Sequence, residues 1–237
     1  MRAALAILAL ALVPAAPASA ATVDAMVVGK ERTLRGPKEV RLKQRTVKVS
    51  GRRCRVGART PLSVLAATRL RLGIRDYARC GRDPRDAGGL YVAKVGRERE
   101  KGRGGWVYKV GRRAGTAGAA DPAGSFGTGR RLRHGQRVTW FWCELQASGG
   151  CQRTLEARPE RRTARPGEAL RVTVRGYDDF GRGVAAAGAA VRLGSAAATT
   201  DAQGVAVLTL GPEAGRLRLT ATRAGLVRAF PMTVTVG

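Results

Sequence analysis

A chain of 237 residues, with Lys+Arg 44 against Asp+Glu 17 and a formal charge of +27, has room for one large domain or two small ones once a targeting segment is set aside. Its 44% hydrophobic content is enough to bury a core, which excludes wholesale disorder despite the charge. A single histidine excludes His-rich metal sites and most histidine-dependent catalysis.

The chain opens MRAALAILALALVPAAPASA. Arg2 supplies a positive n-region, Ala3 to Val13 an apolar run, and Ala18-Ser19-Ala20 the small-x-small pattern of a signal-peptidase site. The run falls short of the roughly 20 residues that span a bilayer, so residues 1–20 are read as a signal peptide. The mature chain is expected to start near Ala21 and to be secreted or held at the cell surface.

The next elements follow from pattern. Thr22 to Val28 reads as a strand, and Val40, Leu42, Val47 and Val49 show the alternation of half-buried strands. Thr60-Pro61 is a helix start, with a hydroxyl cap and a proline at the first turn. The helix is predicted to run through LSVLAATRLRL to Gly73, with Leu62, Leu65 and Leu72 available for one face. Leu90 to Val95, Trp106 to Val110 and Val138 to Cys143 read as strands, the last two separated by a long Gly-rich loop. One helix on a mixed sheet is the economical reading.

Four cysteines in an exported chain are normally disulfides. Of three connectivities, Cys54–Cys80 with Cys143–Cys151 is favoured, because the second pair is close in sequence and flanks an Ala-Ser-Gly-Gly turn. Zinc is the rival; it calls for Cys-x-x-Cys knuckles or nearby histidines, and His134 is distant in sequence.

A boundary is predicted at Cys151. Residues 21–151 carry 30 basic and 10 acidic side chains, and residues 152–237 carry 13 and 7. The first part also holds every Trp and Cys. In the second, Arg153 to Arg158, Ala169 to Gly176, Ala189 to Leu193, Val205 to Leu210, Arg216 to Arg223 and Phe230 to Val236 read as short strands between turn signals. That density of strands suggests a sandwich. The fold class expected is mainly β in two domains: 21–151, an α+β unit of β-grasp-like type, and 152–237, an immunoglobulin-like β-sandwich.

Both parts carry resemblances. TPLSVL (Thr60 to Leu65), GLYVAKV (Gly89 to Val95), GGWVYKVG (Gly104 to Gly111) and HGQRVTWFW (His134 to Trp142) resemble the C-terminal β-domain of transcobalamin and intrinsic factor, a module that recurs in bacterial exported proteins. The match departs at Gly135-Gln136, where the family has Gly-Asp, and at Val110-Gly111, where Asn-Gly is commoner. Arg165-Pro166-Gly167, DDFGRGVAAAGAAVRLG and TTDAQGVAVLTL resemble a bacterial immunoglobulin-like domain. Cobalamin would be the ligand the first resemblance implies, but the carriers hold it against a helical barrel that has no counterpart in this sequence, so cobalamin is not expected.

Few residues offer chemistry. His134 lies in RLRHGQR without a nucleophile context, no dinucleotide fingerprint is complete, and Asp178-Asp179 suits a turn better than a calcium loop. The expectation is that the protein is not an enzyme, with no cofactor and no metal. Trp106 with Tyr108, and Trp140 with Trp142, each share one face of a strand. They would form core, or else a platform for a stacked small ligand such as a sugar or a corrinoid.

The charge is the remaining signal. Residues 30–59 hold twelve basic side chains and two acids, Glu31 and Glu39. Such a surface attracts polyanions by steering and counterion release. Arg41, Lys43, Arg45, Lys48, Arg52 and Arg53 are the anion-binding candidates. The partners expected are anionic wall or extracellular polymers, and other surface proteins through the second domain.

Overall fold

The computed structural model describes residues 20–147 and 149–237; the leader reading, residues 1–20, lies outside the described residues apart from Ala20. The first part contains β1 (Thr22–Val28), β2 (Thr33–Arg41), β3 (Arg45–Val49), β4 (Arg52–Val56), α1 (Pro61–Ala67), β5 (Leu72–Asp76), a 3-10 turn (Pro84–Gly89), β6 (Leu90–Val95), β7 (Glu98–Arg99), β8 (Gly104–Val110), β9 (Arg113–Ala114) and β10 (Arg137–Glu144). The second contains β11 (Thr154–Pro159), β12 (Thr163–Ala164), β13 (Ala169–Tyr177), β14 (Gly183–Ala185), β15 (Ala190–Leu193), β16 (Ala196–Thr199), β17 (Val205–Thr209), β18 (Gly215–Thr222) and β19 (Met232–Val236). The fold is mainly β.

The leading sheet is five-stranded and mixed, in the order β2-β1-β10-β8-β9. β1 runs parallel to β10 and antiparallel to β2. Val23, Ala25 and Val27 of β1 enter one core, while Met26 and Val28 enter another on the opposite face. A strand covered on both faces loses polar alternation, which is why TVDAMVV is an almost unbroken apolar run.

Helix α1 lies on the first of those faces. Thr60 Oγ1 accepts the Ser63 N–H at 3.3 Å, and Leu62, Val64 and Leu65 are buried. The predicted continuation to Gly73 is corrected: the helix has seven residues. The Thr68 hydroxyl donates to the Leu65 carbonyl at 2.7 Å, and Arg69 turns left-handed with φ 60°. Leu72 and Gly73 belong to β5 instead, antiparallel to β6. Gly73 serves close approach there rather than helix termination, since a Cβ at that position would sit 2.8 Å from Lys94 Cβ.

The long loop after β9 is held down by its own residues. Tyr108 Oη donates to the Ala117 carbonyl at 2.8 Å, and Ala120 and Leu132 are buried in the first core.

In the second part, β13 is flanked by β11 on one side and by β14 and β17 on the other, facing a sheet in the order β12-β19-β18-β15-β16. Leu170, Val172 and Val174 of β13 meet Val191, Leu193, Leu219, Ala221, Val234 and Val236 of the facing sheet in one core. β12, β14 and β16 were not foreseen. They have two to four residues and too little apolar alternation to signal a strand.

A third apolar cluster joins the two parts. Met26, Val28, Phe141 and Cys143 of the leading sheet pack against Val227, with Cys151 and Phe230 at the margin.

Candidate anion-binding site

The anion-binding candidates fall around the β3–β4 hairpin, closed by a two-residue turn in which Ser50 and Gly51 take φ of 47° and 82°. Right-handed strand twist favours such a turn. Val47, Val49, Cys54 and Val56 point into the first core, so Thr46, Lys48, Arg53 and Arg55 face outward. The register sets Lys48 opposite Arg53 and Thr46 opposite Arg55. Like charges directly across a ladder repel, and among the described residues none of Lys48, Arg53 or Arg55 has a carboxylate within salt-bridge distance.

The six candidates do not act as one group. Lys48 and Arg53 share the outward face. Arg41, at the end of β2, and Lys43, in the connection to β3, are exposed. Arg45 is half-buried, its guanidinium bonded to the Arg41 carbonyl at 3.5 Å, and burial pulls its pKa down. Arg52 is turned to Asp76 Oδ2 at 2.8 Å. Arg55 joins Lys48 and Arg53 although it was not singled out; its alternate position in RRCRV is the signal.

Cys54 is paired with Cys80 and Cys143 with Cys151, with Cα separations of 5.5 and 5.2 Å. The Cys54–Cys80 bond fastens β4 to the segment after β5. Asp76 stands beside it, close enough to make a trio with the two sulfurs. Its carboxylate already accepts the Cys80 and Ala78 N–H groups at 2.9 and 3.1 Å as well as Arg52, and neither sulfur is a thiolate.

The stacking platform is corrected. Trp106, Tyr108, Trp140 and Trp142 are 1–6% exposed and lie in the first core. Cross-strand register pairs Trp140 with Tyr108 and Trp142 with Trp106, giving a tilted contact at 5.3 Å and an edge-to-face contact at 5.8 Å. Trp140 Nε1 donates to the Pro61 carbonyl at 3.1 Å, tying sheet to helix. These rings are beneath α1 and the long loop because the chain has few other large apolar side chains to fill that space.

His134 is exposed, and its Nδ1 accepts the Thr22 N–H at 3.2 Å, which fixes the entry to β1. Asp178 closes a turn by accepting the Phe180 and Arg182 N–H groups at 3.0 and 2.8 Å.

Sequence reasoning missed the charge buried between the two parts. Trp106, Tyr108 and Val110 of β8 face the first core, so Lys109 emerges on the opposite face, where it is 0% exposed. Its ammonium donates to the carbonyls of Tyr177 and Asp178, both at 2.9 Å, and to Thr154 Oγ1 at 3.2 Å, with Asp179 Oδ1 at 3.5 Å. Burial pulls the Lys109 pKa below its ordinary value, and Asp179 partly offsets this. Arg112 forks onto Glu156 at 2.6 and 3.1 Å and lies over the Tyr177 ring at 4.4 Å. A lysine inside GGWVYKV was the one available signal.

No family model matches the chain, and no curated protein does. Among solved structures, one match is to a chain of FdeC, an Escherichia coli adhesin, at 20% identity and a TM-score of 0.29, covering 46% of this chain and 38% of that one. The chain thus spans well under half the length of that structure.

Proposed function

We propose that this is an exported, non-catalytic interaction protein of the cell surface or extracellular space that docks on anionic polymers through its basic N-terminal part. In this reading residues 1–20 are a signal peptide. Residues 21–151 form a β-grasp-like unit akin to the transcobalamin C-terminal domain, and residues 152–237 an immunoglobulin-like sandwich available to other surface proteins.

The observation that carries the proposal is the outward face of the β3–β4 hairpin, where Lys48 stands across from Arg53 beside Arg55 without a carboxylate partner among the described residues. A fold gains nothing from keeping like charges opposed, whereas a polyanion gains contacts from them. Two disulfides support an oxidising compartment. Export makes wall polymers and extracellular polyanions the accessible partners. The sole histidine holds the Thr22 backbone, which supports a structural role for it. Trp106, Tyr108, Trp140 and Trp142 are spent on the core, so the small-ligand reading loses those two faces.

The test is retention of the secreted protein on isolated cell walls and on a sulfated-polysaccharide resin, against a neutral resin of the same matrix. Retention on the anionic supports that is released by salt is expected. Equal retention on the neutral resin would remove the reading.

A further inference from the structure

Three hollows line up along the seam where the leading sheet meets the second part. The first, of about 380 Å³, is bounded by Lys109, Arg112, Arg137, Glu156, Arg228 and Phe230, among others. A second, of about 360 Å³, shares Arg137 and Glu156 with it and adds Arg158 and Arg162. A third, of about 370 Å³, shares Arg228 and adds Arg218. Six arginines therefore follow one continuous seam, and Glu156 is the only carboxylate residue lining any of the three.

Glu156 does not balance them. Arg112 and Arg158 both bond to it. Arg228 donates to the Glu31 carbonyl, which leaves its charge unpaired. Arg137, Arg162 and Arg218 have no carboxylate within salt-bridge distance among the described residues. Low-dielectric walls of Tyr177, Phe230 and Met232 concentrate the field of these cations in a way that a protruding hairpin cannot.

The geometry points to this seam as a binding groove for a linear polymer carrying phosphate or sulfate groups at short, regular intervals, a reading that rests on the proposed docking function and extends it from the hairpin face to a groove built by both parts. Guanidinium forks match tetrahedral oxyanions in two-point contacts, and three linked hollows accept successive groups of one chain. The rings in the seam are already covered: Arg112 lies 4.4 Å above Tyr177 and Arg137 5.2 Å above Phe230. Bases of a single-stranded nucleic acid therefore find no free aromatic face.

Two variants of equal charge separate site from overall charge. The seam variant carries Arg137→Gln, Arg158→Gln, Arg162→Gln and Arg218→Gln; it spares Arg112 and Arg228, whose bonds join the two parts. The hairpin variant carries Lys43→Gln, Lys48→Gln, Arg53→Gln and Arg55→Gln. Inorganic polyphosphate and heparin are titrated against both and against the wild type in a salt series, with circular dichroism confirming the fold.

The seam variant is expected to lose about tenfold or more in affinity and to reduce the slope of log affinity on log salt by about 3, for four lost contacts at roughly 0.7 each. The hairpin variant removes cations of the docking face but leaves the groove intact, so it should also lose affinity, by at least roughly threefold less than the seam variant. Polyphosphate or heparin as the stronger ligand identifies phosphate or sulfate as the source. Equal loss in both variants, or loss in the hairpin variant alone, overturns the groove and leaves docking standing. Failure of both polymers to bind the wild type overturns the two together. If the seam variant misfolds, arginine-specific modification of the wild type decides: bound polymer should shield Arg137, Arg158 and Arg162 more than Arg53 and Arg55, and the reverse order contradicts the groove.

Discussion

Lys109 carries its ammonium group 3.5 Å from Asp179 Oδ1, across the junction between the leading sheet and the second part, at 0% side-chain exposure. An ion taken out of water is tolerated only when its remaining donors are satisfied. Here the carbonyls of Tyr177 and Asp178 and the hydroxyl of Thr154 complete the set. Asp179 Oδ2 in turn accepts the Cys151 N–H at 2.8 Å. One side chain thus fixes the end of β13, the start of β11 and the second disulfide to β8.

Lys109→Met should therefore destabilise the protein by about 3 kcal/mol, the usual cost of breaking a buried pair from one side. It should also split one unfolding transition into two, because the ion's bonds across the junction are lost and the apolar contact at Met26, Phe141 and Val227, with the Arg112–Glu156 and Arg228–Glu31 bonds, is left to hold the parts. Calorimetry measures both. An unchanged single transition would mean that the seam is held by those remaining contacts and not by the ion.

Acid should loosen the same junction. Burial acts to raise the pKa of Glu156, but hydrogen bonds from Arg112 and Arg158 outweigh it and hold the carboxyl below its ordinary 4.5. A carboxylate with a depressed folded pKa gives stability that is present above the unfolded value and is lost as pH falls through the folded one. Glu156→Gln should cost about 1 kcal/mol at pH 7, discounted because Arg112 is over a third exposed. The wild-type advantage should shrink progressively as pH falls below 4.5. Denaturant midpoints of the two proteins across pH 3–7 check this.

The disulfides should differ in worth. Cys54–Cys80 closes a sequence separation of 26, and Cys143–Cys151 one of 8. Chain-entropy arguments give about 3.5 kcal/mol for the longer loop and about 2.5 kcal/mol for the shorter. The paired replacement Cys54→Ala/Cys80→Ala should lower thermal stability more than Cys143→Ala/Cys151→Ala.

Trp140 gives a fourth expectation. Trp140→Phe keeps most of the buried surface but strips the Pro61 carbonyl of the indole donor. A loss of about 1–3 kcal/mol follows from the unpaired buried carbonyl, and Trp140→Ala should cost about 3–5 kcal/mol through the cavity. A Trp140→Phe loss near zero would show that the hydrogen bond contributes nothing.

Strands with clear punctuation were readable from residue order alone. Thr22–Val28 and Leu90–Val95 have the bounds their pattern suggests, and Thr60-Pro61 marks the helix start correctly. The helix end was not legible. Its stop signal is Thr68 bonding back to Leu65, with Arg69 left-handed, and neither residue announces a terminus as glycine does. Gly73, which does look like a stop, is instead demanded by the neighbouring Lys94 side chain, a contact remote in sequence. Within the candidate site, alternation in RTVKV and RRCRV separates outward Lys48 and Arg53 from inward valines. The turning of Arg52 to Asp76 depends on how β4 and β5 pack, and the gathering of arginines at the seam on how the two parts meet; periodicity is silent on both.

The salt dependence of equilibrium binding tests the docking account most directly. Wild-type protein titrated with a fluorescently labelled sulfated polysaccharide between 50 and 500 mM salt should show log affinity falling linearly with log salt, as counterion release requires. Affinity that holds constant over that range would contradict it.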